Sequence, residues 1–492
     1  MRRPMRPLTC SKALFDDAKA TGRIGVNAKS GHITHGVVKL AARRLGLDDN
    51  ARMTSQGQAA TLRPAGPARR VPARLRQGRL AGRGGRRRPV PAMYMWNYYR
   101  AMALLRAPIE SYLRSHAPRP TCVVSDFCHP WTTELAANLG VPRLSFFSMC
   151  AFGLLCHHNL ERFNAWDGVE DPNEPVVVPG LEERFVVTRA QAPGFFRQTP
   201  IPCWEEFADY AERARAEADG VIVNTVLEME PEYVAGYAAA WKMKVWTVGP
   251  VSTYHQSRTT LASTLASRGL RTSAVDPDEC HRWLDGKAPG SVVYVSFGSI
   301  SQAEPKQVVE LGLGLEVSGH PFIWMLAQER RRVRRRGRGF LGELEARVAG
   351  RGLLIRGWAP QLLIMSHDAV GGFVTHCGWN STLEAVAAGL PMVTWPHFTD
   401  QFLNEKMAVE VLGIGVSVGV TEPLTYQASP KKEIVVGWGV VEAAMRSVMG
   451  GGRRPRGGGD GRALAAKARA AVQVGGSSHA NLWIWSSDSS RA

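Results

Sequence analysis

No stretch of this sequence approaches the ~20 consecutive apolar residues a membrane-spanning helix needs. An integral membrane protein is therefore not expected. The basic N-terminus, MRRPMRPLTCSKALFDDAKATG, lacks the apolar core of a secretory signal. Its Asp16 and Asp17 also speak against an organelle transit peptide. Cysteines are few and scattered, with no CxxC pair and no metal-ligand spacing. Cys122, Cys150, Cys156 and Cys377 lie inside apolar segments. Buried, reduced thiols in a cytoplasmic protein without a bound metal are the expectation.

What the chain has in excess is arginine. The net charge is +18, which taken alone suggests nucleic acid. Three stretches carry it. Arg63 to Pro89 holds ten arginines and no acid, Arg330 to Arg338 holds seven, and Arg453 to Arg456 holds three. These twenty charges exceed the whole net charge, so the remainder of the chain is close to neutral. None of the three stretches contains an aromatic residue on which a base could stack, so a nucleic-acid partner is not expected. Residues 1–92 show neither helical nor strand periodicity through the arginine stretch, and they are expected to be irregular. One account is genetic: Arg, Gly, Pro and Ala codons are GC-rich, and a GC-rich gene read in the wrong frame yields this composition.

The rest alternates strands with helices. SVVYVSFGSI, PFIWML, GLLIRGW, AVGGFVTHCG, PMVTWP and GVSVGV read as short strands. EPKQVVELGLGLEVSG, STLEAVAAG and QFLNEKMAVEVLG read as the helices between them. Earlier, TCVVSDF, VPRLSFFS, ADGVIVNTV and KVWTVGPVS are strands, and MALLRAPIESYLRSH and TTELAANLG are helices. That alternation predicts an α/β fold with parallel, doubly wound sheets, whose ligands bind at the carboxyl ends of the strands.

One segment concentrates polar and aromatic residues at such strand ends: WAPQLLIMSHDAVGGFVTHCGWNSTLEAVAAGLPMVTWPHFTDQ, Trp358 to Gln401. It resembles, over its full 44-residue length, the sugar-nucleotide signature of plant family 1 UDP-dependent glycosyltransferases. The resemblance runs from about Met93 to about Asn481 and includes CVVSDF, VIVNT, WTVGP, WLD, VVYVSFGS and FLNEK. It implies two facing Rossmann-like domains, the GT-B architecture, with the active site in the cleft between them. We expect an irregular or incomplete start at 1–92, an acceptor-binding domain at 93–250, a UDP-sugar-binding domain at 251–475 and a divergent tail at 476–492.

The resemblance also implies roles. Trp358 would stack on uracil, with Ala359 and Gln361 bonding the nucleoside. Alternatively, Trp358 is a core residue at a strand end. His376, Trp379, Asn380 and Ser381 would meet the diphosphate where a strand gives way to a helix N-terminus, a place suited to an anion without a metal. Ser299 matches a further phosphate contact. Glu384 would take the ribose hydroxyls, although Ser381 and Glu384 also read as a capping box. Asp400 and Gln401 would bond the sugar, with Gln401 pointing to glucose, although Asp400 also reads as a helix N-cap. Phe127 and Phe147 could line an acceptor pocket or pack in the core.

For chemistry, inverting transfer needs a base for the acceptor hydroxyl. A His held by an Asp suits that role. The resemblance places the Asp at Asp126 and the His at His32, in SGHITHGVVKLAARRLG. The expected activity is metal-independent transfer of glucose from UDP-glucose, as co-substrate, to a hydroxyl of a small lipophilic acceptor by a monomeric enzyme. The alternative is a UDP-sugar-binding homologue with a disrupted catalytic N-terminus.

Overall fold

The computed structural model describes residues 102–115, 120–192, 204–254, 275–298, 305–326, 338–424, 436–450 and 460–487. His32, Ser299 and the three arginine stretches apart from Arg338 lie outside them.

Two parallel sheets carry the fold. The first has the order β1 (Val123–Asp126), β2 (Arg143–Phe147), β5 (Gly220–Val223), β6 (Val245–Thr247). A short antiparallel hairpin, β3 (Pro175–Val177) with β4 (Val186–Thr188), stands apart from it. The second sheet has six strands: β7 (Val292–Ser296), β8 (Phe322–Leu326), β9 (Gly352–Arg356), β10 (Val370–Thr375), β11 (Met392–Thr394) and β12 (Gly415–Ser417). Their spatial order is β12-β11-β10-β7-β8-β9, and every pairing is parallel.

That order follows from the chain. Short apolar, largely β-branched runs such as VVYVS are buried on both faces, as parallel strands between helical layers must be. The chain winds outward from β7 through β8 to β9. It then returns to the other side of β7 with β10 and winds outward again through β11 to β12. The direction therefore reverses between β7 and β10. Such a switch point leaves a crevice at the carboxyl ends of the two strands. The helix after β10, Trp379–Ala388, ends on Gly389 at φ 74°, a left-handed stop that costs glycine nothing.

A continuous apolar core joins the two sheets, running from Phe147, Phe152 and Tyr237 to Tyr294, Phe373 and Trp379. One expectation changes here. The helix read as beginning at Ser381 begins at Trp379, with Gly378 at its cap. The tail from 476 contains the helix Ser477–Ser487, which returns to the first sheet. There Ser478 Oγ donates to the Gly249 carbonyl at 2.7 Å, and Asn481 Nδ2 donates to the Thr247 carbonyl at 2.9 Å. Among the described residues no helix is long and apolar enough to cross a membrane.

Candidate active site

The crevice at the switch point is built around His376. β7 hands over to Phe297 and Gly298, and β10 hands over to His376, Cys377 and Gly378. The imidazole lies against both glycines. A Cβ at Gly298 would stand 2.8 Å from Cε1 and Nε2 of His376, and one at Gly378 would stand 2.5 Å from Nε2. Gly298 is left-handed at φ 73°, as is Cys377 at φ 62°. A non-glycine residue held there is strained, which is a mark of functional loops. Burial pushes the His376 pKa down to about 4, while the Ser296 backbone pulls more weakly the other way. The ring is therefore neutral at pH 7. Beside it, after β11, His397 is pushed down to about 3, by burial first and by His376 second. Sequence pattern gives no reason to single out His397.

At the end of β9 the chain places Trp358, half-buried, and Ala359, which is buried. The short helix Gln361–Met365 follows. Gln361 is buried, and its amide is spent on the protein. Its NH2 donates to Glu384 Oε2 at 2.7 Å and to Ser381 Oγ at 3.2 Å. Its Oε1 accepts from the Tyr294 hydroxyl and from Ser296 Oγ, each at 3.4 Å. Gln361 thus holds Glu384 at the place where the resemblance puts the nucleoside. The capping-box alternative falls. Ser381 and Glu384 both lie inside the helix, which Gly378 caps without a side-chain bond.

After β11 the loop reaches Thr399, at φ 59°, and Asp400. Asp400 is half-buried at the head of the helix Gln401–Lys406 but makes no side-chain cap bond. This removes the N-cap alternative. Its Oδ1 accepts from Thr399 Oγ1 at 2.9 Å and its Oδ2 from Asn404 Nδ2 at 2.8 Å. Burial raises its pKa, against those two bonds. Gln401 Oε1 accepts the backbone N–H groups of His397 at 2.8 Å and Phe398 at 3.1 Å. The NH2 of Gln401 is the group those bonds leave over.

The first sheet faces this site. Asn224, just beyond β5, reaches across twice. Its carbonyl accepts Trp379 Nε1–H at 2.7 Å, and its Nδ2 donates to Asn380 Oδ1 at 2.7 Å. Trp379 is only 2% exposed. The indole therefore fastens the two sheets together, and what Trp379 has to offer the crevice is its backbone at the first turn of the helix. The bond from Asn224 fixes the flip of Asn380, leaving the Asn380 NH2 as its donor toward the helix start.

Asp126 ends β1 and is buried. Burial pushes its pKa up to about 6, opposed chiefly by the Cys128 N–H, which donates to Oδ1 at 2.9 Å. One oxygen thus makes a turn. Phe127 stacks on Phe147 with ring centroids 5.0 Å apart. Phe147 is 1% exposed and belongs to the core. Its place as an acceptor-lining residue is withdrawn, and Phe127, half-buried, is the one with surface to offer.

One group among the described residues brings metal-type ligands together: His281, Asp285 and His367. It sits at the start of β10, the opposite edge of the sheet from His376. His367 Nδ1 accepts the Ala369 N–H at 3.1 Å, so Nε2 carries the proton and donates to Asp285 at 3.1 Å. A metal-ligating imidazole instead donates from its outer nitrogen, so this cluster is a hydrogen-bonded strap.

A doubly wound sheet offers an anion-ready helix start, a buried amide–carboxylate pair and a second carboxylate at adjoining strand ends. Facing it across a polar seam is a second parallel sheet. Together these features define a nucleotide-dependent α/β enzyme of the two-sheet type. Comparison with known proteins makes this specific. Residues 238–426 match the family model described as UDP-glucoronosyl and UDP-glucosyl transferase. UDP-glycosyltransferase 73C12 of Barbarea vulgaris is 40% identical over 397 residues, 79% of this chain and 77% of that protein. UDP-glycosyltransferase 73C3 of Arabidopsis thaliana is 40% identical over 393 residues, with 79% and 77% covered. Among solved structures, UGT73P12 of Glycyrrhiza uralensis, complexed with glycyrrhetinic acid 3-O-monoglucuronide, superposes with a TM-score of 0.71 at 34% identity. The match covers 90% of this chain and 86% of that one. UGT2 of Phytolacca americana, complexed with UDP-2fluoro-glucose and pterostilbene, gives 0.62 at 27% identity, with 80% and 82% covered. The chain belongs to the plant family 1 UDP-dependent glycosyltransferases and has their GT-B fold.

Proposed function

We propose that this enzyme transfers glucose from UDP-glucose to a hydroxyl of a small lipophilic acceptor, with inversion at the anomeric carbon and without a metal. The observation that carries the reading is the convergence at the switch point. His376, Asn380, Ser381 and the Gln361–Glu384 pair stand at the ends of β9 and β10, with Asp400 and Gln401 at the next strand end. In this reading uracil stacks on Trp358 beside the Ala359 backbone, and the ribose hydroxyls bond Glu384, a carboxylate that accepts both. The diphosphate lies at the start of the Trp379–Ala388 helix, against its N–H groups, the neutral His376 and the Asn380 NH2; the resemblance adds Ser299 as a further phosphate contact. Glucose hydroxyls bond Asp400 and the Gln401 NH2.

His32 takes the acceptor proton and Asp126 steadies the resulting imidazolium. The acceptor oxygen then attacks the anomeric carbon from the face opposite UDP, and the bond to the β-phosphate oxygen breaks. The helix start and its N–H groups receive the charge that develops on UDP. Acceptors are phenolics, terpenoids or hormones. The two ligands in the similar structures, a glucuronidated glycyrrhetinic acid and pterostilbene, support lipophilic ring systems, and half-buried Phe127 offers such a surface. We place the division between the acceptor and donor domains near residue 250 and expect a monomer in the cytoplasm.

The test is UDP release with UDP-glucose, UDP-galactose and UDP-glucuronic acid over a panel of these acceptors, with the product linkage read by NMR. UDP-glucose is expected to be preferred, with a β-linked product. Asp126→Asn is expected to lower kcat by about a hundredfold or more while the UDP Kd stays unchanged. An α-linked product, a preference for another donor, or UDP binding without transfer to any acceptor would overturn the reading.

A further inference from the structure

Asn404 is wholly buried, and each of its polar atoms is committed. Nδ2 donates to Asp400 Oδ2 at 2.8 Å and to the Cys377 carbonyl at 2.9 Å. Oδ1 accepts the thiol hydrogen of Cys150 at 3.2 Å. Cys377 follows His376 directly, so this one amide ties the loop that carries Asp400 to the loop that carries His376. Its third bond leaves the second sheet's unit altogether. Cys150 lies just beyond β2 and caps the helix Ala151–Arg162, with Sγ accepting the Gly153 N–H at 3.2 Å.

The direction of these bonds matters. An amide can be flipped, and the flip decides whether Asp400 meets an NH2 or an oxygen. The Asp400 carboxylate and the Cys377 carbonyl both demand donors. The Cys150 thiol supplies the matching donor on the other side. Burial raises the pKa of this thiol, so it keeps its hydrogen.

We propose that Asn404 is the positioning residue for the donor sugar, holding Asp400 in its binding orientation, and that Cys150 of the acceptor-side unit sets the flip of Asn404. The sugar site is then complete only when the two units are in register. This inference rests on the reading that Asp400 bonds the sugar.

The experiment measures Kd for UDP and for UDP-glucose by calorimetry, and KM and kcat for UDP-glucose, in the full chain. A sugar-orienting residue moves the ratio of the two Kd values, whereas a merely structural one moves both alike. Asn404→Leu fills similar space without donors and is expected to weaken UDP-glucose about tenfold more than UDP, with KM rising in step. Cys150→Ala is expected to shift the ratio the same way by roughly threefold, and Cys150→Ser, whose hydroxyl donates from the same place, to recover most of it. The Cys150 pair carries the test if Asn404→Leu fails to fold. Equal weakening of both ligands, or an unchanged ratio, overturns the inference. Asp400→Asn separates the two ideas. If it leaves the ratio at the wild-type value, the reading of Asp400 itself is wrong. If it collapses the ratio while Asn404→Leu and Cys150→Ala do not, only the positioning role falls.

Discussion

Gly378→Ala isolates the contribution of His376. At φ −62° and ψ 128° an alanine fits the backbone of Gly378 without strain, unlike Gly298 at φ 73°. The new methyl, however, would stand 2.5 Å from His376 Nε2. Ordinary contact requires a retreat of the ring by about 1 Å, and a displacement of that size in a positioned group costs on the order of a hundredfold. Stability should hardly move. Losing a glycine from the unfolded chain contributes about 0.4–1 kcal/mol, and alanine at a helix cap costs a comparable amount.

The assay is UDP affinity by calorimetry in wild type, Gly378→Ala, His376→Ala and the double variant. Gly378→Ala is expected to weaken UDP by about 10- to 100-fold with a near-native Tm. In the His376→Ala background the methyl has nothing to push, so the second substitution should add nothing, and the cycle should show full coupling. Gly439→Ala, where a Cβ meets only open space, serves as a control. If Gly378→Ala weakens UDP equally with and without the imidazole, the steric argument is wrong. If it has no effect in the wild type, His376 does not belong to the UDP site.

Trp379→Phe keeps the buried ring but removes the N–H that serves the Asn224 carbonyl. It is expected to destabilise the fold by about 1–3 kcal/mol, read as a lower midpoint in denaturant, and an unchanged midpoint would deny the indole its fastening role. Acid stability follows from His376, whose pKa falls from 6.5 in the unfolded chain to about 4 in the fold. Between those values the unfolded state binds the extra proton. The contribution of a neutral His376 is therefore full above pH 6.5 and declines as pH falls toward 4, by up to about 1 kcal/mol per pH unit. Asp126 and Glu230, pushed up to about 6 and about 7, act with the opposite sign. The wild-type profile is thus a partial cancellation, and the measurement is the difference from His376→Asn. A difference independent of pH would contradict a half-buried, neutral ring.

The strands of the two parallel sheets were legible because parallel strands buried on both faces read as short apolar runs ending at polar residues, whereas the β3–β4 hairpin and helices such as Ala151–Arg162, Pro231–Trp241 and Trp438–Met449 were not read. The signature placed its polar residues at strand ends, and the fold keeps them there. What the sequence does not carry is the direction in which a side chain turns. Trp379 and Gln361 lie inside the signature and read as ligand contacts, yet the indole crosses to Asn224 and the amide turns inward to Glu384. Phe147 ends a strand that is buried at every position, and its ring lies in the core. Periodicity fixes a face; only the tertiary partner decides what that face meets. For the same reason Cys150 reads as a plain buried thiol, and His397 gives no signal at all.

These side chains share a feature that bears on how the site works. A ligand bound between two sheets gains orientation only if the sheets hold a fixed register, and apolar packing, being non-directional, cannot supply it. Hydrogen bonds can, since each requires a donor to meet an acceptor. Asn224 supplies two such bonds, to Trp379 and Asn380, and Cys150 supplies another to Asn404. In the proposed reading Asn380 stands beside the diphosphate and Asn404 beside the sugar. Both ends of the donor site are thus indexed to the acceptor-side sheet by buried amides whose flip is dictated from across the seam. That accounts for why a segment resembling a sugar-nucleotide signature contains residues such as Trp379 whose side chains are turned away from the crevice: the pattern records the joint as well as the site.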